Sequence, residues 1–249
     1  MNTAGGFGEK IVVPSKWVIS PNPFASISED AFEQARLSMV YGTAGLTAAL
    51  CVTKLLDIAN AKPSDGSIVV TGASGGVGSV AVEILSKLGF TVVAVSGRAE
   101  NSYACSKLKE LGASEIVGRE ALKSTPALLS MPKYAHAIDT VGGEPLATLL
   151  KGIQPGGSVV ACGNAAGLAL ETTVLPFILR GIQLLGVDSV EIPLPEKLQA
   201  WQKLTSDWRC PVVEKHVTEI GRHDLDEYLK AMLQGKSAGR VVLDHSMTL

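Results

Sequence analysis

The middle of the chain alternates between short apolar runs and longer amphipathic stretches. The apolar runs are rich in Val, Ile and Ala without alternating polar positions, which is typical of parallel strands covered on both faces. Strands are predicted over residues 67–71, 91–96, 115–117, 134–139, 158–162 and 183–187, with helical segments between them, the first two ending near residues 88 and 111. This alternation predicts an α/β fold with a doubly wound parallel sheet.

The two ends of the chain do not continue this alternation. Residues 10–13 and 17–19 have the composition of strands and are followed by prolines. After about residue 193 the pattern predicts helices over 196–208 and 223–233, and a last strand over 240–243. We therefore expect the sheet domain to be inserted between two pieces of a second unit.

Composition and charge exclude some functions. Charged residues make up 18% of the 249 residues, against about 25% in an average soluble domain, and the net charge is −2. The low charge suits a doubly covered sheet or a surface covered by a partner subunit. Without a basic patch, the chain is not expected to bind nucleic acid.

The cysteines and the uncharged stretches bear on location. Cys51, Cys105, Cys162 and Cys210 lie far apart without a C-x-x-C pair, so we predict buried thiols in a reducing compartment instead of a zinc site or disulfide framework. The uncharged residues 37–53 and 153–170 do not form a continuous apolar span of about 20 residues, and the N-terminus lacks the pattern of a signal peptide. The expectation is a cytoplasmic protein that does not enter a membrane.

A glycine-rich turn joins the first predicted strand to the first predicted helix, within residues 69–78. Gly72 permits a tight turn, Gly75 and Gly76 let the backbone approach phosphate, and Gly78 lets the helix pack closely on the strand. The N–H groups of the first helical turn and the helix dipole would then face an anion. A lone glycine loop is a weak signal, but this one has the required strand before it and helix after it. It predicts a dinucleotide site; the alternative is merely a tight turn.

The same string also fits the T-G-x-x-x-G-x-G loop of short-chain dehydrogenases. Tyr103 and Lys107 even form a Y-x-x-x-K pattern like the catalytic pair of that family. In that family, however, the loop opens the chain and the pair lies several elements downstream. Here a long segment precedes the loop and Tyr103 follows directly after the second strand. We interpret the pair as a coincidental match.

The end of the second strand bears on the choice of cofactor. An NAD site carries an Asp or Glu there, which accepts hydrogen bonds from the ribose 2′-hydroxyl. Here the strand ends in Ser96, Gly97 and Arg98, while Glu100 lies past the turn. A guanidinium suits bidentate binding of a phosphate. This end therefore predicts NADPH over NADH; the alternative is a solvated surface arginine.

With these residues in hand, the chain resembles the medium-chain dehydrogenase/reductase superfamily, and within it the zinc-independent group of quinone oxidoreductases and acrylyl-CoA reductases. The matching motifs are residues 42–48, 71–78, 95–98, 138–142, 161–163, 176–180 and 186–189, and the resemblance covers essentially the whole chain. It implies a Rossmann sheet inserted in a partial GroES-like β domain, in a chain truncated at its N-terminus. The implied division is a GroES-like remnant over 1–30, the NADP-binding domain over 31–195 and a returning segment over 196–249.

The resemblance also implies roles for individual residues. Those implied to hold the pyrophosphate are Ser74, Gly75, Gly76, Val77 and Gly78, and those implied to hold the 2′-phosphate are Ser96, Gly97 and Arg98. Residues implied to lie near the nicotinamide or at the ligand-binding ends of strands are Thr43, Thr47, Thr140, Gly163, Asn164, Ile178 and Leu179. Thr43 and Thr47 have helix packing as an alternative role, and residues 176–179 have plain core packing.

Two functions remain open at this point. The first is an enzyme that transfers a hydride from NADPH to an activated C=C bond of acrylyl-CoA, a related enoyl thioester or an enone, or to a quinone, without a metal; no residue is assigned as the proton donor. The second is a truncated, dimerising NADPH-binding module without turnover. Residues 182–189 resemble the edge strand that this superfamily pairs across a two-fold axis, so we expect a homodimer.

Overall fold

A sheet of six parallel strands forms the centre of the protein. The computed structural model describes residues 7–8, 10–123, 126–234 and 239–247. The strands are β1 (Ile68–Thr71), β2 (Val92–Val95), β3 (Glu115–Val117), β4 (Tyr134–Asp139), β5 (Ile153–Ala161) and β6 (Gln183–Gly186), in the spatial order β3-β2-β1-β4-β5-β6. Every neighbouring pair is parallel. This order is that of a doubly wound dinucleotide-binding sheet, which confirms the predicted fold class.

Helices cover both faces of this sheet. They are α1 (Ala31–Asp57), α2 (Gly76–Lys87), α3 (Ser102–Glu110), α4 (Gly143–Gly152), α5 (Leu175–Arg180), α6 (Leu194–Leu204), α7 (Pro211–Lys215) and α8 (Leu225–Leu233). Every residue of β1, β2 and β4 is buried, as the continuous apolar runs predict. The edge strands β3 and β6 are partly exposed. The polar stretch predicted as a helix after β3 forms only a 3-10 turn, Arg119–Leu122, among the residues described there.

The longest helix, α1, bends at a glycine. It begins at the N-cap Asp30, whose side chain accepts a hydrogen bond from the Phe32 N–H at 2.9 Å. Gly42 interrupts the helix with φ 50° and ψ −156°. By length and composition α1 could cross a membrane, with a mean hydropathy of 1.4 in its most apolar window, but 61% of that window is buried inside the protein. Its apolar face is therefore covered by the protein's own core.

The last part of the chain packs against α1 and α2. Leu204 of α6, Cys210 and Val213 of α7 belong to the same buried cluster as the apolar residues of α1 and α2. Beyond them, β7 (Val217–Ile220) and β8 (Arg240–Leu243) form a separate two-stranded parallel sheet. The strand β8 lies where the sequence predicts it, whereas β7 was not predicted. The division of the chain at residues 30 and 195 stays a prediction.

The two strands predicted near the N-terminus are wrong. Residues 10–13 have no regular secondary structure, and residues 15–17 form a 3-10 turn. A strand needs a neighbour to take up its backbone N–H and C=O groups, and no described strand pairs with this segment. The side chains of Ile11 and Val12 are 50% and 99% exposed, so no burial stabilises an extended conformation.

Candidate functional site

Two glycines in and after the turn between β1 and α2 have no room for a side chain. A Cβ on Gly72, where φ is +58°, would collide with the Thr140 hydroxyl, and a Cβ on Gly78 would collide with the Gly72 carbonyl oxygen. Gly75, the N-cap of α2, provides no capping side chain, and the backbone of Gly75 and Gly76 is exposed. The first N–H groups of α2 are thus open to an outside acceptor. This bare, exposed helix start fits the pyrophosphate of a dinucleotide.

Hydrogen bonds between the ends of β1 and β4 hold this turn in place. The Thr71 hydroxyl donates to Asp139 Oδ1 at 2.7 Å and accepts from the Thr140 N–H at 2.9 Å. The Thr140 hydroxyl donates to the Thr71 carbonyl at 2.8 Å, and the Gly142 N–H donates to Asp139 Oδ2 at 2.7 Å. The strand order reverses between these two strands, and ligands bind at such a switch point.

Asp139 lies at the centre of this network and is fully buried. Burial raises the pKa of Asp139, although the hydrogen bonds from Thr71 and Gly142 oppose the shift. The predicted site residue Thr140 donates its hydroxyl hydrogen to β1, so this hydroxyl can only accept a hydrogen bond from a ligand. Asp139 itself was named only within a family motif, because its role depends on a contact with a residue far away in the sequence.

The predicted residues after β5 lie directly beside this network. The Cys162 N–H donates to the Asp139 carbonyl at 2.9 Å. A Cβ on Gly163 would collide with the Thr140 carbonyl oxygen, so only glycine lets the ends of β4 and β5 approach this closely. The next residue, Asn164, is exposed. The structure thus brings Thr140, Gly163 and Asn164 together at one edge of the sheet.

Polar side chains converge at the end of β2. The Ser96 hydroxyl donates to the Ser74 hydroxyl of the glycine turn at 3.0 Å and accepts from the Arg98 N–H at 3.1 Å. Ser96 is buried, whereas Gly97 is exposed. These bonds join the predicted 2′-phosphate residues to the predicted pyrophosphate residues in one continuous surface.

Arg119 adds a second guanidinium to this surface. A Cβ on Gly97 would collide with the guanidinium of Arg119, which therefore lies directly over that glycine. Arg119 is exposed and opens the 3-10 turn after β3. The sequence analysis missed it, because Arg119 is distant from Arg98 along the chain. A basic residue just after β3 was the one sequence feature that pointed to this role. The end of β3 lies beside the end of β2, because Val117 pairs with Val95.

The two threonines of α1 lie near the end of β6. Thr47 is buried, and its hydroxyl donates to the Thr43 carbonyl at 2.7 Å and accepts from the Ser189 hydroxyl at 2.9 Å. Thr43 is exposed just after the break in α1. The Lys54 ammonium also donates to the Gly186 carbonyl at 2.6 Å. The second half of α1 is thereby fixed to the segment that follows β6, and Ser189 is a further polar group of this region that was not singled out.

Apolar side chains of α5 remain uncovered. Ile178 and Leu179 are 68% and 64% exposed, although Pro176 at the start of the helix is buried. The helix is fixed at its other end by Arg180, which donates to the Lys151 carbonyl at 2.7 Å and to the Ile153 carbonyl at 3.1 Å. The interpretation of residues 178 and 179 as core is thus wrong, and their proximity to a nicotinamide stays a prediction.

Comparisons with known proteins agree with this geometry. Residues 76–206 match the family described as zinc-binding dehydrogenase. The chain is 44% identical to the probable acrylyl-CoA reductase AcuI of Escherichia coli, over 97% of this chain and 71% of that protein. This chain belongs to the medium-chain dehydrogenase/reductase superfamily. More specifically, it belongs to the group that contains acrylyl-CoA reductases and quinone oxidoreductases, as the resemblance of its motifs implies.

Further relatives support membership in this group. The putative quinone oxidoreductase YhfP of Bacillus subtilis is 41% identical over 96% of this chain and 69% of its own length. The crystal structure of E. coli YhdH with bound NADPH superposes with a TM-score of 0.85 at 43% identity, covering 96% of this chain and 70% of that one. The structure of YhfP with bound NAD has a TM-score of 0.77 and is covered over 63% of its length. This chain thus spans roughly two thirds of these relatives.

The zinc in the family description has no counterpart among the described residues. In that part of the chain no three His, Cys, Asp or Glu side chains are close enough together to hold a metal ion. His136 is buried in β4, with Nε2 3.2 Å from Asp65 Oδ2 and Nδ1 accepting from the Ser158 N–H at 3.2 Å. It is a hydrogen-bonded core histidine. The described part of the chain therefore provides no set of side chains that fits a zinc ion.

Tyr103 and Lys107 line a small cavity together with Ser74 of the glycine turn and Arg98. The Tyr103 ring is 60% exposed and contacts the ring of His216 edge to face. The Lys107 ammonium donates to the His216 carbonyl at 3.4 Å. Both side chains thus contact the segment between α7 and β7, which supports their interpretation as a coincidental match in a medium-chain reductase.

Proposed function

We propose that this chain binds NADPH at the carboxyl edge of its sheet and reduces an activated C=C bond of acrylyl-CoA, a related enoyl thioester or an enone, or reduces a quinone. The observation that carries the proposal is the end of β2. Ser96, Arg98 and Arg119 stand where an NAD site has an acidic residue. The Arg119 guanidinium lies over Gly97 and Arg98 lines a small cavity with Ser74, and such cations suit a phosphate dianion. The names of the relatives support the substrate classes.

Different parts of the edge would bind different parts of the cofactor. The start of α2 at Gly75 and Gly76 would take the pyrophosphate through backbone N–H groups and the helix dipole. Ser96, Arg98 and Arg119 would take the 2′-phosphate. When bound, NADPH supplies the hydride, so the chain's own residues need to bind and orient it and exclude water.

The region around α5 would hold the reactive end. Ile178 and Leu179 offer an apolar surface for the face of a nicotinamide ring. Thr43 on α1 and Asn164 after β5 are exposed and can donate hydrogen bonds to a carboxamide or a substrate carbonyl. These side chains are proposed to orient the two reactants, which is how a protein that leaves the chemistry to its cofactor contributes to rate.

The cofactor assignment is tested by titration of the purified chain with NADPH and with NADH in a calorimeter. We expect Arg98→Ala and Arg119→Ala each to weaken NADPH binding by about tenfold and to leave NADH binding unchanged, since each removes a charge-assisted bond to the 2′-phosphate. Lys133→Ala is the control, because it removes a positive charge just before β4, at the opposite edge of the sheet. Equal wild-type affinity for the two nucleotides would contradict the proposal.

Turnover is tested separately, by following NADPH oxidation with acrylyl-CoA and with a simple quinone. Oxidation that depends on either substrate supports the reductase. Tight NADPH binding without oxidation would favour the second hypothesis, a dimerising nucleotide-binding module. The uncovered apolar side chains on α5 make that outcome a specific alternative, because the reactive end of the cofactor would be left open to water.

We also propose a cytoplasmic homodimer that joins two copies of β6. This strand lies at the edge of the sheet and is partly exposed, so its outer backbone groups can pair with an identical strand across a two-fold axis. Sedimentation at micromolar concentration should give twice the chain mass of 26.0 kDa. A monomer mass would contradict this assembly.

A further inference from the structure

The break in α1 is held by a residue from the far end of the chain. Gly42 leaves the helical conformation, and the two residues before it, Val40 and Tyr41, turn their carbonyl oxygens to the guanidinium of Arg240. The bond from Arg240 Nη1 to the Tyr41 carbonyl is 2.9 Å long. Side-chain donors of this kind commonly satisfy carbonyls where a helix is interrupted.

The same guanidinium also reaches the glycine turn. Arg240 Nη2 donates to the carbonyl of Gly76, the first residue of α2, at 2.7 Å. A Cβ on Gly76 would lie 3.2 Å from Ala44 Cβ and 3.6 Å from Arg240 Nη2. The start of α2 therefore packs between the second half of α1 and Arg240 of β8. Three elements that are distant in sequence meet at the turn where the pyrophosphate is proposed to bind.

The charge of Arg240 is not cancelled by its partners. Among the described residues, the acceptors that bind its guanidinium are three neutral backbone carbonyls. Burial lowers the pKa of Arg240, and neighbouring Lys107 has its pKa lowered by burial and then by the charge of Arg240. Two cations behind the start of α2 repel each other when nothing is bound. An anion at the open end of α2 would relieve that repulsion and add to the attraction of the helix dipole.

We propose that Arg240 is a positioning residue for the pyrophosphate-binding turn: it fixes the Gly76 peptide against the break in α1 and adds its positive charge behind the start of α2. This inference rests on the proposed function, because it assumes that a dinucleotide binds at that turn. It makes β8, in the segment that follows the sheet domain, part of the cofactor site.

The test compares Arg240→Gln with Arg36→Gln in titrations with NADPH and NADH. Arg36 is a matched control because it also joins α1 to the β7–β8 sheet, through Glu219, without contacting α2. Both nucleotides contain the pyrophosphate, so we expect Arg240→Gln to weaken NADPH and NADH binding by the same factor, about tenfold. Arg36→Gln should change either affinity by less than about twofold.

A second variant separates positioning from general structural support. Arg240→Lys keeps the charge but cannot reach three carbonyls with one planar group, so it should recover about half of the lost binding free energy, an approximately threefold weakening. The dependence of nucleotide affinity on salt should be shallower in Arg240→Gln than in Arg240→Lys, because only the lysine retains a charge near the phosphates. If Arg240→Gln does not fold, the nucleotide affinities of Arg240→Lys and Arg36→Lys are compared instead. Equal weakening of NADPH and NADH binding in Arg240→Lys alone would support the inference.

The failures of the two proposals give different results. Unchanged affinities in a folded Arg240→Gln, with normal wild-type binding, would overturn the inference alone. Loss of NADPH affinity without loss of NADH affinity would also overturn it, because Arg240 would then act on the 2′-phosphate. If the wild-type chain bound neither nucleotide, both the proposed function and the proposed role of Arg240 would be wrong.

Discussion

The two halves of the sheet's carboxyl edge are built in opposite ways. At the ends of β1, β2 and β3, side chains such as Ser96 are buried and bonded to one another, and the glycines leave no spare space. Around β6 and α5 the edge is open, with Ile178 68% exposed. A phosphate needs donors that are already in place, because their desolvation and ordering oppose binding. An apolar ring or substrate can instead be held by surfaces that close over it.

The largest effect is expected when a methyl group is added in the tightly packed half of the edge, at Gly78. If this half tolerated the methyl group, the contrast with the open half would be wrong. In Gly78→Ala the Cβ would collide with the Gly72 carbonyl oxygen and lie 2.7 Å from Ala73 Cα, so the turn must move. We expect NADPH affinity to fall by about a hundredfold and the free energy of unfolding to fall by about 2–3 kcal/mol. Calorimetric titration and urea denaturation measure the two effects.

The open half supplies the control for this change. Gly186 on β6 has no atom within 4 Å of an added Cβ and no unusual backbone angle. Gly186→Ala should therefore change the free energy of unfolding by less than about 0.5 kcal/mol and leave nucleotide binding as in the wild type. Equal effects of the two substitutions would show that the halves do not differ in rigidity.

A second way to test the tight half is to remove the hydroxyl at its centre. Thr71→Val deprives the buried Asp139 of a donor and the Thr140 N–H of its acceptor, at nearly constant volume. The free energy of unfolding should fall by about 2 kcal/mol. Thr71→Ser keeps the hydroxyl and should lose less than about 1 kcal/mol, measured by the same urea denaturation. A valine variant as stable as the serine variant would disprove the role of the network.

The pH dependence of stability provides a further test of the network around Asp139. Burial raises the pKa of Asp139 in the folded chain, so the folded state holds this proton more tightly than the unfolded state. Its contribution to stability is greatest below the unfolded pKa and falls as pH rises through the folded pKa. The stability of wild type relative to Asp139→Asn should therefore be higher near about pH 4 than near about pH 7. A relative stability that rises with pH would contradict the direction of this shift.

The smallest effect on stability is expected in the open half. Leu179→Ser replaces an exposed side chain, so the melting temperature should remain close to that of the wild type. Turnover of an enone or enoyl thioester should nevertheless decrease, because the proposed apolar surface beside the nicotinamide is lost. A change in stability of more than about 1 kcal/mol would show that residue 179 is part of the core after all.

Sequence predicts well those elements of the fold that are determined by residues adjacent along the chain. β1, β2 and the start of α2 follow from buried apolar runs and the glycine turn between them. β5 begins at Ile153, earlier than predicted, because pairing with Tyr134 extends the strand through residues that break isolated strands.

The residues that sequence missed depend on contacts across the sheet or between distant segments. Arg119 reaches Gly97 only because β3 lies beside β2, and Arg240 reaches Gly76 only because β8 returns to the break in α1. The strands expected over residues 10–19 were wrong for a related reason, since no described neighbour pairs with them. The local pattern of apolar and polar residues predicts helices and strands. The order in which the strands pair decides which side chains meet at the site.

The contact between Arg119 and Gly97 has a consequence for how cofactor choice can evolve. Any side chain at position 97 would displace the guanidinium that lies over it. An aspartate at that position would move this guanidinium, neutralise its charge and introduce the carboxylate that receives a ribose 2′-hydroxyl in NAD sites. One substitution would thus act on both halves of the choice between NADPH and NADH.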